Sequence, residues 1–82
     1  MKIGAYQIVV DAGYREYDIE VLHWDSPQTF RQERRICIRE DNLELLCSEI
    51  DRMLSRYGGE VVFETTGPGL QAYHFWEARN GG

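Results

Sequence analysis

The sequence predicts a mixed α/β fold in one domain, residues 1–82, with elements in the order β-β-β-α-β-α and a sheet in strand order 3-2-1-4. Three observations predict it. Two short apolar runs, Ile8-Val9-Val10 and Val61-Val62-Phe63, have the Val-rich composition of strands buried on both faces of a sheet. Residues 17–24 alternate with period two, as a half-buried strand does. Residues 43–57 instead repeat apolar side chains at spacings of three and four, the stripe of an amphipathic helix.

Taken in order, strand one runs from Tyr6 to Asp11 and is stopped by Ala12-Gly13. Strand two, Tyr17 to Trp24, sets Tyr17, Ile19, Val21 and His23 on one face and Asp18, Glu20, Leu22 and Trp24 on the other. The gap from Gly13 to Glu16 is hairpin-sized, so these strands are expected to pair antiparallel. Asp25-Ser26-Pro27 makes a turn. Strand three, Phe30 to Ile38, has a polar middle rich in Arg, which suits a sheet edge because charge there deters edge-to-edge association.

Asp41 is expected to cap the first helix, with Glu44 completing a capping box. Leu43, Leu46, Cys47, Ile50, Met53, Leu54 and Tyr57 form its buried stripe, and Gly58-Gly59 ends it. Strand four is Glu60 to Glu64. Because a helix separates it from strand three, a parallel return beside strand one is possible. Pro68 suits the first turn of a second helix, which brings Leu70, Tyr73 and Trp76 toward the sheet and runs out in Asn80-Gly81-Gly82.

The totals bound the function. A chain of 82 residues buries only roughly 60–65% of its unfolded surface, so its core is modest. Nine basic against fourteen acidic residues give a net charge of −5, unlike the basic face of a free-standing nucleic-acid binder. Cys37 and Cys47 lack the spacing of a zinc site and read as buried free thiols. No apolar run is long enough to span a membrane and no signal-peptide pattern opens the chain, so a cytoplasmic protein without membrane contact is expected.

The candidate site lies at two strand ends. Each of the apolar runs finishes in a carboxylate, Asp11 and Glu64, and the second leads through Thr65-Thr66-Gly67-Pro68 into a helix. In open α/β sheets, ligands bind in the crevice beyond the carboxyl ends of the strands. If the two strands are parallel neighbours, the acids stand roughly 5 Å apart, one strand spacing, and can share a divalent metal.

The other candidates read more simply as structure. His23 and His74 show no metal spacing; Arg31, Arg34, Arg35 and Arg39 suit a solvated edge strand; and Tyr73-His74-Phe75-Trp76 suits helix packing.

These features together resemble a ribonuclease H-like fold. More narrowly, the chain is similar to the N-terminal half of the RuvC-like catalytic domain of Asp-Glu-Asp-Asp (DEDD) insertion-sequence transposases and their invertase relatives. The residues that carry the resemblance are Asp11, followed seven residues later by Asp18-Ile19-Glu20-Val21, and the run Val61-Val62-Phe63-Glu64-Thr65-Thr66-Gly67 entering a helix. Val9-Val10 stands where that family usually has Gly-Ile, and Tyr14 where it commonly has Lys.

The resemblance implies a half-domain of a DNA recombination enzyme from a mobile element, with Asp11 and Glu64 as catalytic metal ligands for Mg²⁺- or Mn²⁺-dependent strand transfer. The family's other two acids fall in a C-terminal half without counterpart here, so metal binding by this chain alone is expected to be weak. DNA would be bound through a fuller assembly. The open strand-four edge is expected to form a homodimer or take a complementary segment. The competing expectation is a small acidic interaction or inhibitor protein of phage or mobile-element origin, without catalysis.

Overall fold

The structure, a computed structural model, describes residues 4–80; the expected tail at Gly81-Gly82 lies outside them. Its elements are β1 (Tyr6–Gly13), β2 (Glu16–Trp24), β3 (Phe30–Arg39), α1 (Leu43–Tyr57), β4 (Glu60–Phe63) and α2 (Gly67–Arg79). The four strands form one sheet in the order β3-β2-β1-β4. β1 pairs antiparallel with β2, and β2 with β3, while β4 returns parallel to β1. The predicted order, sheet and crossover are all present.

The period-two reading of β2 fixes its faces. Tyr17, Ile19 and Val21 are buried and join Ile8, Val10, Ile38 and Phe63 in one core with Leu46, Ile50 and Met53 of α1 and Ala72 of α2. Phe63 stacks on Trp76, with ring centroids 5.5 Å apart, and meets Tyr73 edge-on. Glu44 of α1 pairs with Arg79 of α2, tying the two helices side by side. Both helices therefore cover the same face of the sheet.

That arrangement corrects the expectation that β1 and β4 are buried on both faces. The second face carries Gln7, Val9 and Asp11 of β1 and Val62 of β4, of which Asp11 and Val62 are exposed. The apolar runs are short enough to be read either way, and one layer of two helices has no helix left for the other side. The open face shields itself in one corner, where Trp24 packs on Phe30 at 4.9 Å and donates its indole N–H to Gln7. A register shift between Val21 and Leu22 is absorbed by β3 at that end.

Helix α1 begins one residue later than its sequence suggests. Asn42, not Asp41, accepts the Leu45 amide with its side chain, and Asp41 pairs instead with Arg39. The capping box fails because Glu44 then sits in the first turn, engaged with Arg79. At the other end, Gly58 adopts φ 73° and its amide bonds Leu54, as a glycine C-cap should. Gly59, at φ 89°, passes so close to the Tyr6 carbonyl that a Cβ would collide with it. The two glycines thus turn the chain directly into β4. Cys47 is buried on α1 as expected, but Cys37 is exposed on β3 because the sheet face it occupies is uncovered.

Candidate functional site at the ends of β1 and β4

The last registered pair between the parallel strands is Val10 with Phe63, so the next residues, Asp11 and Glu64, end level on neighbouring strands. Neighbouring strands lie about 4.8 Å apart. The Glu64 amide continues the ladder by donating to the Val10 carbonyl at 2.9 Å. In a regular parallel ladder the following bond runs from the Ala12 amide to the Glu64 carbonyl. Here the chain turns away, and Ala12 donates to Glu64 Oε2 at 2.9 Å. One carboxylate oxygen replaces a backbone acceptor, and Oε1 has no protein partner among the described residues. Asp11 is exposed on the open face and makes no side-chain hydrogen bond or ion pair among them; β1 does not stop there as expected but runs on through Ala12 and Gly13, still paired with β2.

The start of α2 holds Glu64 in place. Gly69 is buried in its first turn, and a Cβ there would lie 2.5 Å from Glu64 Cβ and 2.6 Å from its carbonyl oxygen. Only a residue without a side chain lets the helix come this near. Gly67 provides the turn at φ 54°, and Pro68 follows as the expected first-turn proline. The buried Tyr17 phenol donates to the Pro68 carbonyl at 2.9 Å, anchoring the helix entrance to β2. Burial, with the nearby Glu40 charge adding to it, pushes the Tyr17 phenol pKa up.

A second polar cluster stands beside these acids on the open face, and sequence reading did not single it out. Glu16, Asp18 and Cys37 each bring a possible metal-ligating atom within 4.8 Å of the others. Asp18 faces Asp11 across the β1–β2 pair and Cys37 across the β2–β3 pair. Its Oδ1 accepts from Arg35 at 3.0 Å and from Cys37 Sγ at 2.9 Å. The bond to Asp18 is the main reason the Cys37 thiol pKa is raised, and the Asp18 charge raises that of Arg35. A guanidinium and a thiol both engage Oδ1, which leaves Asp18 Oδ2 without a hydrogen-bond partner among the described residues, as Oε1 of Glu64 is. Period two sets Glu16 and Asp18 on one face of β2, and the β2–β3 register, shifted by one residue in β3, brings Cys37 opposite Asp18. Neither Asp11 nor Glu64 belongs to a group of three such ligands among the described residues.

The remaining candidates fall where packing explains them. His23 stacks on Tyr6 at 4.7 Å and meets Asp25; His74 is exposed. Arg31, Arg35 and Arg39 of the edge strand pair with Glu33, Asp18 and Asp41. Tyr73 and Trp76 pack on Phe63, while Leu70, expected toward the sheet, is 41% exposed at the rim of a groove. Val61, Phe63, Glu64, Thr65, Leu70 and Tyr73 line that groove along the free edge of β4, a space of about 200 Å³. No helix among the described residues is long and apolar enough to cross a membrane. No protein-family model matches the chain, and neither a curated protein nor a solved structure does.

Proposed function

We propose that the chain is a ribonuclease H-like half-domain, similar to the N-terminal half of RuvC-like DEDD transposase and invertase domains. In this reading it lends Asp11 and Glu64 to a divalent-metal site for phosphodiester strand transfer on DNA, completed by acids outside the chain. The observation that supports it is the parallel β1–β4 register, whose last pair is Val10 with Phe63, so that Asp11 and Glu64 are the next residue on each strand. The donor set suits Mg²⁺ or Mn²⁺, which take hard oxygen ligands. Asp11 offers a carboxylate without a protein partner among the described residues, and Glu64 offers Oε1.

When bound, such a metal would polarise a phosphate and activate an attacking oxygen. The chain's own part is positional. The Ala12 amide fixes one oxygen of Glu64, leaving the other free to bind. Gly69 keeps α2 against Glu64, so the carboxylate is held without being covered. Two ligands make a weak site, which is why DNA and the further acids belong to a larger assembly in this proposal.

The test is a Mn²⁺ titration of the chain and of Asp11→Asn. Mn²⁺ at millimolar concentration should raise the melting temperature of the wild type slightly, through linkage, and leave the variant unmoved. Paramagnetic broadening in NMR spectra should centre on the Ala12 and Thr65 amides. Equal shifts in both proteins, or broadening centred on Glu16 and Cys37, would remove the case for this pair.

A second reading, an acidic interaction protein without catalysis, is favoured by one observation: the grooved, unpaired edge of β4.

A further inference from the structure

The geometry points to a peptide-binding site on β4. We infer that its free edge takes an extended segment of another protein, apolar at alternate positions and carrying Lys or Arg between them, as an added strand. This inference stands independently of the metal site.

Backbone geometry comes first. The Glu64 amide points at β1, and in a parallel ladder the backbone groups of alternate residues point the same way. Val62 therefore also turns its amide and carbonyl to β1, while Val61 and Phe63 turn theirs outward. β4 is the last strand of the sheet among the described residues, so these outward groups meet no strand there. Such an edge is a template for strand addition, in which main-chain bonds give affinity and side-chain pockets give specificity.

The groove supplies the pocket. Val61, Phe63, Leu70 and Tyr73 make it apolar, and it runs beside the unpaired backbone. Its volume of about 200 Å³ falls below the roughly 300–1,000 Å³ of small-molecule sites, so it suits one or two side chains. On the other face of the strand, Val62 is 37% exposed and offers apolar surface to the methylene stems of the intervening Lys or Arg side chains.

Charge selects the occupant. Glu64 lines the groove, and Glu77 accepts a hydrogen bond from the hydroxyl of Tyr73, which lines it too. Glu60 stands exposed at the start of the strand. These acids favour a cationic segment and disfavour a second copy meeting edge to edge, which would bring the same carboxylates together in two chains of net charge −5. The β3 edge of a second copy is a poorer match than its Arg content suggests, because Arg31, Arg35 and Arg39 already pair within the chain.

The experiment titrates ¹⁵N-labelled chain with the blocked heptapeptide Lys-Val-Lys-Phe-Lys-Thr-Lys, its analogue with Glu for every Lys, and its analogue with Pro for the central Phe. The basic peptide should bind with a Kd on the order of 100 µM, with shifts confined to β4 and the first turns of α2. Amide exchange should slow at Val61 and Phe63 and change little at Val62 and Glu64. The acidic and proline analogues, and the exposed-site variant Leu70→Lys, which removes apolar contact and adds a like charge, should each weaken binding about tenfold or more. Equal binding of the acidic peptide, undiminished binding to Leu70→Lys, or no shift at millimolar peptide would overturn the inference. So would self-association in sedimentation that alone protects Val61 and Phe63, since it would make a second copy the occupant. None of these readouts depends on metal, so they fail or succeed apart from the Asp11→Asn titration.

Discussion

At Glu64 one carboxylate does two jobs that substitution can separate. Its Oε2 closes the β1–β4 ladder by accepting from Ala12, which an amide oxygen can also do. Glu64→Gln should therefore keep nearly all the stability and lose the Mn²⁺ response. Glu64→Ala should lose both, at about 1–3 kcal/mol for the orphaned amide, measured by urea denaturation. Gly69→Ala tests the supporting contact. Its methyl group meets Glu64 backbone, which cannot swing aside as a side-chain tip could, so a loss of about 1–3 kcal/mol is expected, with displacement of Glu64 visible in the Ala12 amide shift. The third residue-scale expectation concerns Cys37. Its thiol pKa is raised chiefly by the bond to Asp18, so the neutral form is favoured in the folded protein. Any stability from that bond is present below the thiol's unfolded pKa and fades as pH rises through the folded one. Asp18→Asn removes the carboxylate charge, and iodoacetamide should then alkylate Cys37 several-fold faster at pH 8.

Among the elements, α1 was the most legible because its stripe recurs over four turns and its glycine stop is unambiguous. The cap was misread for a local reason. Asp41 and Asn42 are both capping residues, and Glu44 completes a box with Asp41 on paper, but Arg39 and Arg79 draw those two acids away. Asn42→Ala should accordingly cost about 1 kcal/mol and Asp41→Ala much less, compared by thermal melts. The strands were legible in number and pairing, since period two and hairpin spacing are local signals. Which of their faces is covered was not. Val9 and Val62 look like core in the sequence, and only the count of helices available to pack on them decides otherwise. The level backbone placement of Asp11 and Glu64 on neighbouring strands was legible because it needs only the parallel register. The cluster of Glu16, Asp18 and Cys37 was not, because counting from Trp24 opposite Phe30 sets Ile36 against Asp18 and only the register shift in β3 brings Cys37 there, and the Ala12 bond was not, because a side chain takes over from backbone there.

For the whole molecule, the parallel return of β4 sets the order in which parts let go. β1, β2 and β3 form a meander of strands eight to ten residues long, joined by short turns. β4 has four residues, holds to β1 alone, and is reached only through the whole of α1. Beyond it, α2 is fastened at its entrance by the Tyr17–Pro68 bond and near its end by Arg79 to Glu44. The segment from Glu60 to Arg79 thus resembles a latch closed over the core at Phe63 and Trp76. Opening it exposes those rings but leaves the meander intact, so it should proceed at lower free energy than global unfolding. Limited proteolysis is expected to cut first between Glu64 and Leu70, and Tyr17→Phe should hasten that cut while barely changing cleavage in β2 and β3. A segment of another protein clasped against β4 would hold the latch shut, so the chain would resist the protease in proportion to how much of its partner is present.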